Sequence, residues 1–194
     1  GVLPLVALYM VTSAAYTLGL KRKRLVDVFL LAAMYMMRIV VGGFATGHYP
    51  STWLLAFSCF FFLSLALAKR VTEVETAAAK GGSGLSRRGY LDSDGPILKM
   101  MGVGAGFVSC LVLALYLQSD TVAANYSQAF FLWTLPAMVM FWLCRVWLLT
   151  DRGEMHDDPL IFAFRDRVSL WTGVLAAAGF LAAVLIPASF TFFL

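Results

Sequence analysis

The sequence predicts an all-α fold, a polytopic transmembrane helix bundle of about six spans, on three observations. Hydrophobic residues make up 61% of the 194 positions and mean hydropathy is +0.82, well above the roughly 45–50% apolar content of soluble domains. The excess falls into runs of near-membrane length, as needed to cross an apolar slab about 30 Å thick. Charge is confined almost entirely to alternate links between those runs.

The apolar runs cover residues 2–20, 26–46, 51–68, 97–117, 129–149 and 168–187, the last followed by a short apolar tail. Each is read as a helix, because an isolated strand leaves its backbone polar groups unpaired in lipid. The KRKR link at 21–24 is so short that the first two helices must form an antiparallel pair. Residues 1–194 are read as one transmembrane domain. Gly1 already lies in an apolar run with no basic stretch ahead of it, which argues for a truncated start and against a signal peptide.

The formal net charge of +4 belongs to loops and is an orientation signal, not a footprint for nucleic acid. Links near 47–50 and 118–128 contain no Lys or Arg, and every basic residue except Arg38 lies in or close to the other three links. By the positive-inside rule those three face the cytoplasm, giving a multi-pass protein of the cell membrane. Ten of the eleven acids, all but Asp120, share that side. The rule accounts for the bases and says little about the acids.

Cys59, Cys110 and Cys144 lie within apolar runs, without metal-ligand spacing, and read as packing residues. Gly102, Gly104 and Gly106 lack the Lys and Ser or Thr of a phosphate loop, and Gly102 and Gly106 suit close helix packing. Trp133, Trp142, Trp147 and Trp171 read as an interface belt. Neither His48 nor His156 has a ligand partner at metal spacing. KGGSG at 80–84 reads as a flexible joint. Asp157, Asp158 and Pro159 form a helix-start signature ahead of a short interfacial helix.

Three ionic groups carry chemistry. Asp27 and Arg38 are eleven residues apart, almost three helical turns, on one stripe with Met34 and Gly42 and roughly 16 Å apart along the axis. A mid-span arginine lines a path or pocket, or else forms a structural ion pair or snorkels. Lys69, Arg70 and Glu73 end the third span, with Lys69 and Glu73 one turn apart; a substrate site and a surface ion pair fit equally well. Arg87, Arg88, Tyr90, Asp92 and Asp94 precede the fourth span and suit a Mg²⁺-bridged phosphate or diphosphate, or an ordinary solvated loop.

The segments YTLGLKRKRLVDVFLLAAMYMMRIVVGG at 16–43, LALAKRVTEVE at 65–75 and DDPLIFAFRDR at 157–167 together resemble the later part of the UbiA superfamily of membrane prenyltransferases. Within it they are most similar to the branch containing decaprenyl-phosphate phosphoribosyltransferases. The resemblance implies helices four to nine of a nine-helix bundle around a cytoplasm-facing cavity, with Mg²⁺ as cofactor. It also implies that the first three helices and their acidic metal motif are missing, so the chain holds only part of the site and is not active alone. The superfamily's Asp-x-x-x-Asp is not cleanly matched.

Carried over residue by residue, the resemblance implies catalytic roles for Arg38, Lys69, Arg70 and Glu73. Substrate binding falls to Lys21, Asp27, Arg87, Arg88, Tyr90, Asp94 and Arg165, and metal ligation to Glu73 and Asp94. The implied reaction moves a prenyl group from a polyprenyl diphosphate to an acceptor, often aromatic; the alternative is phosphoribosyl transfer from phosphoribosyl diphosphate to polyprenyl phosphate. Partners are then an isoprenoid diphosphate or polyprenyl phosphate lipid and the membrane, with no nucleic acid and with room for a homo-oligomer. A transporter or non-catalytic scaffold is the competing class, but no inverted repeat is visible.

Overall fold

The computed structural model describes residues 2–79, 89–126, 128–155 and 158–187, with the side chains at 77–79 and 92 excepted. Among the described residues eight α-helices follow in order: α1 Val2–Leu18, α2 Val26–Thr46, α3 Thr52–Ala79, α4 Gly95–Leu117, α5 Asp120–Asn125, α6 Thr134–Asp151, α7 Pro159–Arg165 and α8 Arg167–Leu185. No strand occurs among the described residues. The protein is an all-α polytopic bundle, as predicted. Five helices among the described residues are long and apolar enough to cross a membrane, and α1, at 17 residues, is shorter. The expected six spans therefore resolve into five full-length helices and one short apolar helix.

Helix boundaries follow local chemistry. Helix α2 ends at Gly47 in the left-handed region (φ +73°), where the Gly47 N–H donates to the Gly43 carbonyl. A Cβ on Gly43 would sit 2.6 Å from the His48 carbonyl oxygen and 2.7 Å from Pro50 Cδ, so the tight return toward α3 needs glycine there. Helix α3 has 28 residues, about 42 Å at 1.5 Å per residue. It runs eleven residues past the expected end at Ala68, carrying Lys69, Arg70 and Glu73 on a continuous helix. The expected span at 129–149 begins instead with a 3-10 turn at Ala129–Trp133, and α6 follows.

The short helix expected after Asp158 is present. Pro159 occupies its first turn, and the Asp158 carboxylate accepts the Leu160 N–H at 3.0 Å. It stops at Asp166, whose extended backbone breaks the helix and whose carboxylate caps α8 by accepting the Ser169 N–H at 2.8 Å. Asp157 and His156 lie outside the described residues, as does the 80–84 joint.

The tightest packing joins α3, α4 and α6. Ser64 Oγ donates to the Gly102 carbonyl at 2.8 Å and accepts the Trp147 indole N–H at 3.0 Å. A Cβ on Gly102 would lie 2.1 Å from Trp147, and one on Gly106 3.1 Å from Ser64 Oγ. The expectation of glycine-mediated packing holds at these two positions. Gly104 has nothing within 4 Å and takes no part. Around this seam Leu67, Val71, Leu98, Leu143 and Val146 form the main core. A smaller core of Leu117, Val122, Leu132 and Ala183 closes the other end.

Two readings change. Trp142 and Trp147 are not in an interface belt: both are buried, and Trp142 donates its indole N–H to Ser169 Oγ at 2.9 Å. Trp133 and Trp171 are exposed as expected. Of the cysteines only Cys110 is buried; Cys59 and Cys144 are exposed on helix faces.

Candidate functional site

Ionic residues gather at one end of the bundle, where the α1–α2 link meets the last turns of α3 and α6, the first turns of α4 and helix α7. They form two groups. The first is sealed. Arg70 and Asp27 are fully buried, with Nη2 and Oδ2 2.7 Å apart. That contact is coulombic and lacks hydrogen-bond alignment, and Arg70 Nε has no hydrogen-bond partner among the described residues. Arg70 Nη1 pairs with the Glu73 carboxylate one turn along α3. The Tyr90 hydroxyl donates to Asp27 Oδ1 at 2.6 Å and accepts the Leu25 N–H at 2.7 Å, while its ring lies 5.8 Å from the Arg70 guanidinium carbon.

This arrangement fixes the chain crossing. Leu25 has φ +62°, a strained conformation for a branched residue, and its N–H is held by Tyr90. Arg24 Nε donates to the Gly89 carbonyl, and Gly89 itself is left-handed at φ +79° with the Arg22 carbonyl 3.3 Å from where a Cβ would stand. Residues 89–90 thus clasp the α1–α2 link. Burial first, and the hydrogen bond to Asp27 second, push the Tyr90 hydroxyl above its ordinary value, so it remains a proton donor.

The second group is accessible. Lys69 points the other way from Arg70 and pairs with Asp158 at 2.6 Å, with a third of its side chain exposed. The Lys69–Glu73 pair suggested by spacing does not form; each takes a different partner. Tyr35 of α2 stacks on Phe62 with ring centres 5.2 Å apart. Arg38 is exposed, its guanidinium carbon 5.0 Å from the Tyr35 ring centre and 5.6 Å from that of Tyr9, with Nη2 donating to the Tyr9 hydroxyl at 2.8 Å. The stripe shared by Asp27 and Arg38 therefore divides: Asp27, Val28, Ala32 and Met34 are buried, whereas Arg38 faces outward between tyrosines.

The remaining expected residues are dispersed. Lys21 is half-buried in the 3-10 turn Leu20–Arg22, and Arg165 is exposed at the end of α7. Asp94 is committed to its own turn, its carboxylate accepting the Leu91 N–H at 2.9 Å. Arg87 and Arg88 lie outside the described residues. Glu73 is engaged by Arg70 and Asp94 by Leu91, and no group of three metal-ligating side chains occurs among the described residues. These two carboxylates do not fit a Mg²⁺ site by themselves, since a hard cation takes six or so oxygens.

Arg145 was not singled out from sequence. It pairs with Asp166 at 3.1 Å and lies 5.5 Å from the Phe162 ring centre, pinning α6 to the α7–α8 elbow. Its signal was an arginine inside an otherwise apolar helix. Lys99 likewise bridges Glu75 at 2.6 Å and Asp151 at 2.7 Å, tying the ends of α3, α4 and α6. Helix α7, which Asp158 caps, contributes Leu160 and Phe164 to a cavity of about 520 Å³ lined almost entirely by apolar side chains, among them Phe61 of α3 and Trp142 of α6.

The class so defined is a multi-pass membrane helix bundle with an ionic mouth beside an apolar cavity. No family model matches the chain. It is similar to the uncharacterized protein y4nM of Sinorhizobium fredii, 37% identical over 179 residues that cover 92% of this chain and 35% of that protein. It is similar also to nodulation protein NoeC of Azorhizobium caulinodans, 32% identical with 84% of this chain and 53% of that protein covered. A more distant likeness, 25% identity over 182 residues, covers 89% of this chain and 56% of the decaprenyl-phosphate phosphoribosyltransferase of Mycolicibacterium smegmatis. The chain thus spans between about a third and just over half of the length of these relatives.

Proposed function

We propose that the chain forms part of a UbiA-type membrane transferase acting on an isoprenoid phosphate lipid, with its charged end cytoplasmic. The observation that carries this reading is that Asp158, paired with Lys69, caps the short helix whose Leu160 and Phe164 line an apolar cavity. Such an arrangement suits an anionic head on an apolar tail. Lys69 and Arg38 are accessible cations, and preorganised cations stabilise charge developing on a departing diphosphate. Arg70 and Asp27, fully buried, serve as positioning residues behind them.

Likeness to a phosphoribosyltransferase favours phosphoribosyl transfer: the ribose C1–oxygen bond to diphosphate breaks, a bond to the lipid phosphate oxygen forms, and diphosphate leaves. Prenyl transfer from a polyprenyl diphosphate is the second reading, supported by the same ionic mouth. The test gives full-length protein in lipid nanodiscs phosphoribosyl diphosphate with polyprenyl phosphate, or polyprenyl diphosphate with aromatic acceptors, with Mg²⁺ or with EDTA. Turnover with one set assigns the donor, and its loss in EDTA supports metal dependence. Absence of turnover with both sets, or undiminished turnover after Arg38→Ala and Lys69→Ala, would overturn the proposal.

A further inference from the structure

Helix α7 is seven residues long, about 10 Å at 1.5 Å per residue, and a helix so short is marginal by itself. Its place is set by what holds its two ends. At the start, Asp158 pairs with the single ammonium of Lys69 on α3, a third of whose side chain is exposed. At the other end Asp166 is gripped more fully. Arg145 of α6 sets Nη1 3.1 Å from Asp166 Oδ2 and donates from Nη2 to Oδ1 at 3.2 Å. The same carboxylate accepts the Ser169 N–H at 2.8 Å and the Ser169 hydroxyl at 2.9 Å. Ser169 Oγ in turn accepts the indole N–H of Trp142, which shares a face of α6 with Arg145 three residues on. That face of α6 therefore holds the α7–α8 elbow through two connected polar contacts.

Arg145 also reaches α7 itself, its guanidinium carbon 5.5 Å from the Phe162 ring centre. Leu160, Ala163 and Phe164 line the apolar cavity, and at about 100° per residue Phe162 projects from the opposite side of α7. The arginine thus backs a helix whose front is a cavity wall. Apart from Asp151 at its end, Arg145 is the only charge on α6, and an ionised side chain within an apolar span is costly enough to mark a functional position. The two anchors differ in what an incoming anion can do to them. Lys69 can exchange Asp158 for a phosphate, because a partly exposed ion pair is weak. Asp166 stays bound to Arg145 and Ser169 throughout. We infer that Arg145 is a positioning residue for the proposed transfer: through Asp166 and Phe162 it keeps α7, and with it the cavity wall, in place while a substrate phosphate takes Lys69 from Asp158. The inference rests on the transferase reading above and adds to it a residue that touches no substrate.

The experiment reads α7 directly and then its effect on substrate. Full-length protein in lipid nanodiscs is compared as wild type, Arg145→Lys, Lys69→Ala and the double variant. Arg145→Lys keeps a cation beside Asp166 and so preserves the fold, but an ammonium can neither span both carboxylate oxygens nor lie flat on Phe162. Amide hydrogen exchange over residues 159–166 should quicken by about tenfold in Arg145→Lys, a local opening, with exchange over α4 unchanged. In the turnover assays above, KM for the lipid substrate should rise by about tenfold, within the range for coupled groups, and kcat should stay level. A purely structural loss does the reverse: it lowers the active fraction, hence the apparent kcat, and leaves KM as it was. In the Lys69→Ala background the same substitution should add no more than about twofold to KM, since Asp158 then has no cation to yield. Unchanged exchange over α7, a matching rise over α4, or KM effects of the two substitutions that simply multiply would each overturn the positioning role. If wild type turns over neither substrate set, the transferase reading fails and the role in transfer with it, while exchange over α7 still reports whether Arg145 holds the helix.

Discussion

Arg70 and Arg38 both lie on apolar helices that pack against each other, yet their surroundings are opposite. Arg70 is fully buried between Asp27 and Glu73 with a tyrosine ring beside it. Arg38 is exposed, and its described partners are the hydroxyl of Tyr9 and the faces of Tyr9 and Tyr35. A charge closed in by carboxylates is spent on holding the fold together. One that keeps a free face, with its plane steadied by aromatic rings, is still available to an anion.

The largest expected effect lies on the sealed side. Arg70→Ala leaves the Asp27 carboxylate buried without its cation, which costs about 3–5 kcal/mol, measured as loss of stability in detergent unfolding. Replacing both residues, Asp27→Leu with Arg70→Met, should recover much of that loss, because an apolar pair of similar volume avoids the desolvation penalty. If Arg70→Ala is as stable as wild type while activity vanishes, Arg70 belongs with the substrate and the comparison collapses.

On the open side the expectation reverses. Arg38→Ala should change stability by no more than about 0.5 kcal/mol, as for an exposed substitution, while transfer activity falls by about 10²-fold. Arg38→Lys should recover little, since an ammonium lacks the planar stacking and forked donors of guanidinium. Paired unfolding and turnover measurements on the same preparations separate the two effects.

Tyr90→Phe tests how the sealed side is held. It removes a donor to Asp27 and the acceptor for the Leu25 N–H, at a cost of about 1–3 kcal/mol. The pH dependence has a definite sign. The folded protein raises the Tyr90 value above the ordinary one of 10.0, so its stabilisation is complete below pH about 10 and fades as pH climbs through the raised folded value. An ultraviolet phenolate titration of the folded protein should therefore show a late-ionising tyrosine that is missing in Tyr90→Phe.

Much of this was legible in the sequence. Apolar run lengths located the spanning helices to within a few residues, except at the end of α3, which runs eleven residues past Ala68, and Asp158-Pro159 marked α7, because lipid and capping impose local rules. The pairing of ions was not legible. Lys69 and Glu73 stand one turn apart, but a helix end touching α2 on one side and α7 on the other gives Lys69 a partner from a distant segment, Asp158, while Glu73 pairs with Arg70 on its own helix. The Asp27–Arg38 stripe was correct as helical geometry, but the different surroundings of its two ends were not legible, because α3 and the 89–90 strap cover only part of it. Arg145 and the burial of Trp142 and Trp147 depend on how α6 is rotated against α4 and α8, which no local pattern specifies.

The smallest effect concerns the Lys69–Asp158 pair. Asp158 both caps α7, through the Leu160 N–H, and pairs with Lys69. Asp158→Ala loses both functions, and the cap alone is worth about 1 kcal/mol. Asp158→Asn keeps an oxygen for the cap and loses only a partly exposed ion pair, so it should cost a few tenths of a kcal/mol, shrinking further as salt is raised. Comparing the two by unfolding at low and high salt divides the residue into a helix-start role and a charge role. If Asn is as damaging as Ala at both salt concentrations, the carboxylate is doing more than capping, and Lys69 is less free to meet a substrate anion than its exposure indicates.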